Sequence, residues 1–355
     1  MKTMLLKENW ANAEEFACVA GSEAVAVYKS LKDEYLALRN SALLSDLSYL
    51  KPFIYTESDA VDNLDAVLTS NILKLRYGKV VDSFFADNNG NIAAETFVAD
   101  TGDFVLLIAD ALENADISAL KNGAKDASET HCLFSVDGPL AYKAAKEVFG
   151  SDILNLSFMS CETYDYDGEK VVLLRCGKTG EFGYMFFAPK AVAGKLFLQL
   201  KSAVESLKGT LGGFKALDLA AMESNFYCTR NEGAKVGNMA QLGLLWAVDF
   251  DKESFSGSEK ILEYRKDESL MPVVCVRGNI ADNAEIFADG ESVGRVVCSK
   301  FSYAVNDNLG MAIFKRKYAL AGFEFSSKAS ENLGDISTIS RPCVMTKSLE
   351  NGMEQ

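Results

Sequence analysis

Arg175-Cys176-Gly177-Lys178-Thr179-Gly180-Glu181-Phe182-Gly183-Tyr184 lies between two short apolar runs, Val171-Val172-Leu173-Leu174 and Tyr184-Met185-Phe186-Phe187. Both runs are rich in β-branched or aromatic residues and predict strands. The connection carries Gly177, Gly180 and Gly183, which permit φ > 0 and close approach of a backbone or ligand. Glu181 is held at its tip. A carboxylate fixed there can accept two parallel N–H bonds from a flat, amidine-like edge, as in an arginine fork. Standing alone, the loop reads equally as a hairpin tip with a solvated glutamate.

The flanking chain has 355 residues, enough for two or three domains. It is 48% hydrophobic and 24% charged, the balance of a globular protein with ample core. A formal net charge of -14 argues against nucleic acid or an anionic membrane as the main partner. The eight cysteines are scattered with no Cys-x-x-Cys, which argues against zinc and iron–sulfur sites and for reduced, buried thiols. The single histidine, His131, excludes a His-rich metal site, and a structural role is expected for it. The N-terminal apolar run is too short for a signal-peptide core, and no run reaches the ~18 apolar residues of a membrane span. A cytoplasmic protein is expected.

In chain order, residues 1–50 read as helical and then strand-like, with leucines at 31, 36 and 38. Ser58 predicts the cap of a helix running through Leu68. Val80 to Phe85, Ile92 to Val98 and Phe104 to Ala109 predict strands, with a strong turn at Asp87-Asn88-Asn89-Gly90. Asp110 to Gly123 reads as a polar-faced helix. Leu133 to Val136 predicts a strand, and Asp137-Gly138-Pro139 opens a helix that ends at Gly150. Tyr164 to Gly168 reads as a turn. Val192 to Leu207 is amphipathic, and Phe214 to Phe226 predicts a further helix. From Met271 to Phe325 the pattern turns to short strands with turn signals at Asp289-Gly290, Val293-Gly294 and Ala321-Gly322, a small all-β unit. Ser348 to Gln355 reads as a frayed end.

These landmarks stand in the order of one family. The sequence resembles the aminomethyltransferases, meaning the glycine cleavage T-protein and its folate-dependent demethylase relatives. Gly177-Lys178-Thr179-Gly180-Glu181-Phe182-Gly183 is similar to that family's Gly-Tyr-Thr-Gly-Glu-x-Gly loop. Asn89-Gly90-Asn91-Ile92 followed by Glu95 resembles the turn and acidic strand that carry its catalytic carboxylate. Ala42 to Ser48, Asp137-Gly138-Pro139, Ala216 to Phe226, Leu244-Leu245-Trp246, Phe255-Ser256-Gly257 and Gly294 to Ser299 match in turn.

The resemblance implies an α+β fold of three domains around a central, folate-sized cavity. Two α/β domains (residues 1–50 plus 134–245, and 51–133) and a C-terminal β-barrel (265–345) are expected. It implies tetrahydrofolate as cofactor, Glu95 as the catalytic carboxylate and Glu181 as the grip on the pterin edge. Asp82, Asp110, Lys178 and Trp246 are the further expected folate contacts. Several positions depart from the family. Tyr49 replaces a histidine, Asp82 a tyrosine, Asp110 an asparagine, Lys178 the loop tyrosine and Gln241 a glutamate. Leu217 and Ala221 stand where the family has arginines, and Lys178, Arg230 or Arg316 are the cations available to replace them. The expected activity is transfer of a one-carbon group from a small amine or methylated donor to folate N5, with a lipoyl carrier protein as a further expected partner. The alternative is a folate-binding accessory protein without catalysis, and a third reading is an interaction domain with an empty cavity.

Overall fold

The structure, a computed structural model, describes residues 13–330 and 334–353; the N-terminal segment read for a signal core lies outside them. A hairpin of Glu15–Val19 and Ser22–Val27 precedes the helix Leu31–Asn40, whose cap Ser30 accepts from Asp33 N–H. The hairpin has no counterpart in the sequence reading, because its residues are small and only weakly alternating.

Three larger sheets follow. The first has the order Ser160–Tyr166, Glu169–Arg175, Gly183–Pro189, His131–Asp137, Leu43–Asp46 and Thr210–Leu211. Helices Ala141–Phe149 and Lys190–Ser206 cover one face and bury Phe134, Val136, Phe186 and Leu196. The second sheet has the order Val80–Ala86, Ile92–Asp100, Val105–Ala111, Lys51–Tyr55 and Lys125–Asp126. Its alternation is clean: Leu107, Ala109 and Ala111 face an outer core with Leu64 and Leu68, while Leu106 and Ile108 face the first sheet with Leu133 and Phe187. Cavity space is left within this second, inter-sheet layer.

The third sheet, residues 273–339, closes into a barrel through reciprocal hydrogen bonds between Phe287 and Ser326, both at 2.9 Å. Val276, Ile286, Val296 and Phe314 fill its interior. The barrel docks on helix Phe214–Glu223, where Ser302 donates to Glu223 at 2.6 Å.

Several local expectations are corrected. The helix near residue 58 is Glu57–Leu64, capped by Thr56, and it stops before Leu68. Asp110 is a strand residue, because Val105–Ala111 keeps its alternation through that position; only Ser118–Lys121 beyond it is helical, as a 3-10 turn. Tyr164 belongs to the strand Ser160–Tyr166, and the turn falls at Asp167-Gly168. Val293-Gly294 lies inside the strand Glu291–Ser302. The segment up to residue 353 is tied down where a frayed end was expected, with Lys347–Asn351 helical and Thr346 donating to Gly180 O at 2.9 Å; residues 354–355 lie outside the described residues.

Candidate active site between the first two sheets

A cavity partly open to solvent, with about 680 Å3 of space between atoms once that solvent is counted, lies where the two sheets meet helix Phe214–Glu223. Register on the second sheet positions its acidic wall. Glu95 pairs directly with Asp110, and Phe97 with Ile108, so all four share one face and all line the cavity. The first sheet supplies Ser135, Asp137 and Met185, and the Cys176–Thr179 loop closes over them. Leu47 and Leu50 add apolar wall, and Leu217, Asp218 and Ala221 come from one face of the helix.

The charges form two groups. In the first, Lys178 Nζ donates to Glu95 Oε2. Arg230 is held on both sides, by Asp110 at 2.8 and 3.0 Å and by Asp218 at 2.8 to 3.2 Å. Its guanidinium lies over the rings of Tyr49 and Phe214, at 5.2 and 5.5 Å from their centroids. Burial pushes the Glu95 carboxyl above its ordinary range, and Lys178 pulls it back part of the way. Burial pushes Asp218 upward too, but Arg230 more than reverses this and leaves it below the usual carboxylate range.

The second group is Asp137 with two hydroxyls. Ser135 donates to its Oδ2 at 2.6 Å, and the nearby Thr179 hydroxyl also acts to lower its pKa. Among the described residues no cation pairs with it, and burial raises it to about 7. The sequence offered one signal here: in Leu133 to Asp137 the polar residues Ser135 and Asp137 alternate with Phe134 and Val136, so they share a face with buried Leu133. A polar pair on a face that begins apolar marks where a core opens into a site.

The expected site residues therefore separate. Glu95, Asp110 and Lys178 meet in the cavity. Asp82 shares the sheet face of Glu95, since it pairs with Phe97, but it lines a more open groove of about 1000 Å3 together with Trp246. Burial and then Glu95 push the Asp82 carboxyl well up, and its Oδ1 has no hydrogen-bond partner among the described residues. Trp246 is 67% exposed. Glu181 is not among the cavity's lining residues. Its Oε1 meets Arg39 at 3.3 Å, and its Oε2 accepts from Ser348 N–H and hydroxyl at 3.0 and 2.7 Å. Arg39 also binds Glu223 at 2.7 Å, which extends the buried network to Tyr35 and Ser302. Of the replacement cations, Lys178 and Arg230 reach the cavity, while Arg316 bonds to the Asp267 and Glu268 carbonyls on the barrel side. His131 stacks on Phe187 at 4.2 Å, and burial lowers its pKa to about 4, consistent with a structural role.

Residues 3–252 match the GCVT N-terminal domain. The chain is 27% identical to the probable aminomethyltransferase of Thermococcus kodakarensis, over 90% of this chain and 89% of that protein. It is 24% identical to the aminomethyltransferase of a Thermotoga species, strain RQ2, over 89% and 90% respectively. The solved glycine cleavage system aminomethyltransferase T from Bartonella henselae superposes with a TM-score of 0.81, covering 97% of this chain and 98% of that one at 21% identity, which speaks for the fold. The chain belongs to the aminomethyltransferase (GCVT) family. Among the described residues no helix is long and apolar enough to cross a membrane.

Proposed function

We propose that the protein is a tetrahydrofolate-dependent one-carbon transferase that takes an aminomethyl or methyl group from a small amine or methylated donor. The observation that carries this reading is the cavity itself: apolar walls faced by buried carboxylates, in a chain of this family. Leu47, Leu50, Phe97, Ile108, Met185 and Leu217 suit the two faces of a flat heterocycle, and the carboxylates suit its N–H groups. Arg230 and Lys178 are the cations that line the cavity.

Tetrahydrofolate, when bound, supplies a nucleophilic N5 amine. Glu95 is the group that accepts a proton from an amine placed against it. Lys178 donates to Oε2, and among the described residues no donor meets Oε1, the oxygen this reading assigns to the proton transfer. The lysine also opposes the upward push of burial on the Glu95 carboxyl. The Arg230 bridge fixes Asp110 and Asp218 and joins the second sheet to the helix. Asp82 and Trp246 line the neighbouring groove, which is where the far end of an extended ligand, or the arm of a lipoyl carrier protein, is placed by this reading. Glu95→Gln is expected to keep tetrahydrofolate affinity within a few-fold and to cut turnover by ~10²-fold or more. Unchanged turnover removes Glu95 from the mechanism.

Folate binding without catalysis is the second reading. It is favoured by the close Lys178–Glu95 pair, which ties up one oxygen of the proposed base. Product analysis of the folate after incubation with methylamine-type donors decides between the two.

A further inference from the structure

We propose that Asp137 recognises the amidine-like donor edge of the pteridine, with Glu95 at the opposite polar end of the same cavity. This rests on the folate reading above and assigns a residue which that reading leaves unused. Four carboxylates line the cavity, and three of them are committed: Glu95 to Lys178, and Asp110 and Asp218 to Arg230. Glu181 is committed as well, to Arg39 and Ser348. Asp137 alone among these has no ion pair among the described residues, although it is only 4% exposed. A buried carboxylate without a cation is costly. Such a cost is met when a ligand brings N–H donors to it.

The local backbone makes room for this. A Cβ on Gly177 would lie 3.1 Å from Asp137 Oδ1, and one on Gly183 would lie 2.9 Å from it. Two glycines therefore let the loop backbone pass close to that oxygen without a side chain crowding it, while Ser135 donates to the other oxygen. Neither Gly177 nor Gly183 has a positive φ, so space and not backbone conformation is what a side chain would remove. Asp137 also stands electrostatically apart: burial and its two hydroxyls govern it, and none of the charges on Glu95, Lys178, Asp110 or Arg230 contributes. A ring with N–H donors at one end and a reactive amine toward the other spans two such separate poles, with its faces on Phe97, Ile108 and Met185.

The test compares anaerobic binding of 6-methyltetrahydropterin with that of its counterpart carrying oxygen in place of the 2-amino group. Wild type is expected to favour the amino compound by roughly 10- to 100-fold, the value of one charge-assisted hydrogen bond. In Asp137→Asn this preference is expected to fall below ~3-fold, while Glu181→Gln keeps it. An Asp137→Asn protein that retains the wild-type preference overturns the assignment. So does a wild type that binds tetrahydrofolate but shows no preference, an outcome that leaves the folate reading standing and needs no variant to fold. A wild type that binds no pteridine overturns both.

Discussion

Glu95 and Asp137 are both buried in one cavity, and a lysine against the first makes their pH behaviour differ. Asp137 is raised from the ordinary carboxylate range to about 7. A raised carboxyl favours folding while it is protonated, so its contribution is present below the unfolded value near 4 and is lost as pH rises through about 7. Around it stand Ser135 and Thr179, which do not titrate, and Cys176, whose thiol burial holds far above neutrality. Asp137→Asn, neutral throughout, is thus expected to gain stability relative to wild type between pH 5 and pH 8, by a few degrees in Tm. Glu232, also raised to about 7, titrates alike in both proteins and cancels in the difference. A difference in Tm that stays flat with pH contradicts the buried, unpaired state of Asp137. Glu181 leads to a different expectation. Glu181→Ala removes one partner of a buried pair but leaves Arg39 bound to Glu223, so a loss of about 1–3 kcal/mol in urea unfolding is expected. Glu95 was legible from the turn before it and the alternation around it. The partners of Glu181 were not, because Arg39 and Ser348 are 142 and 167 residues away in the chain.

At the scale of elements, strong periodicity and turn chemistry were readable and terminations were less so. The paired strands on either side of the glycine loop and the long amphipathic helix lie where the sequence puts them, and residues 271–325 form the expected β-rich unit, although Val293-Gly294 is strand and not turn. The misreadings share a cause. Asp110 to Gly123 is polar enough to suggest an exposed helix face, yet Asp110 is polar because Arg230 binds it inside a strand. Ser348 to Gln355 looks like a loose end, yet its serine caps Glu181. A polar residue is read as solvated until its tertiary partner is known. Gly138 is the converse case, where local chemistry is decisive. It has φ +136, and a Cβ there would sit 2.5 Å from Ser41 O and 3.0 Å from Leu38 O. Gly138→Ala is expected to cost more than ~2 kcal/mol, since strain and backbone overlap add together. A thermal or urea midpoint equal to wild type would show that the junction of Leu31–Asn40 with the 141–149 helix is slacker than described.

For the whole molecule, the cavity belongs to no single sheet. Glu95 and Asp110 come from one, Asp137 and Lys178 from the other, and Asp218 from the helix that carries the barrel. The family order in the sequence implied such a central cavity. Which carboxylates face it unpaired depended on cations brought in from distant segments, and that was not legible. We take the sheets to delimit three units, 1–50 with 134–245, 51–133 and 265–345, with the cavity between the first two. A ligand bridging two units stabilises both by mass action, by about 2.7 kcal/mol at a hundred times Kd. The central claim is that this cavity holds tetrahydrofolate, and calorimetric titration of the full chain under anaerobic conditions tests it most directly. The expected result is saturable binding of one tetrahydrofolate per chain, weakened at least tenfold in Arg230→Ala and in Asp137→Asn. The absence of binding up to millimolar ligand, or binding that neither substitution alters, would contradict it.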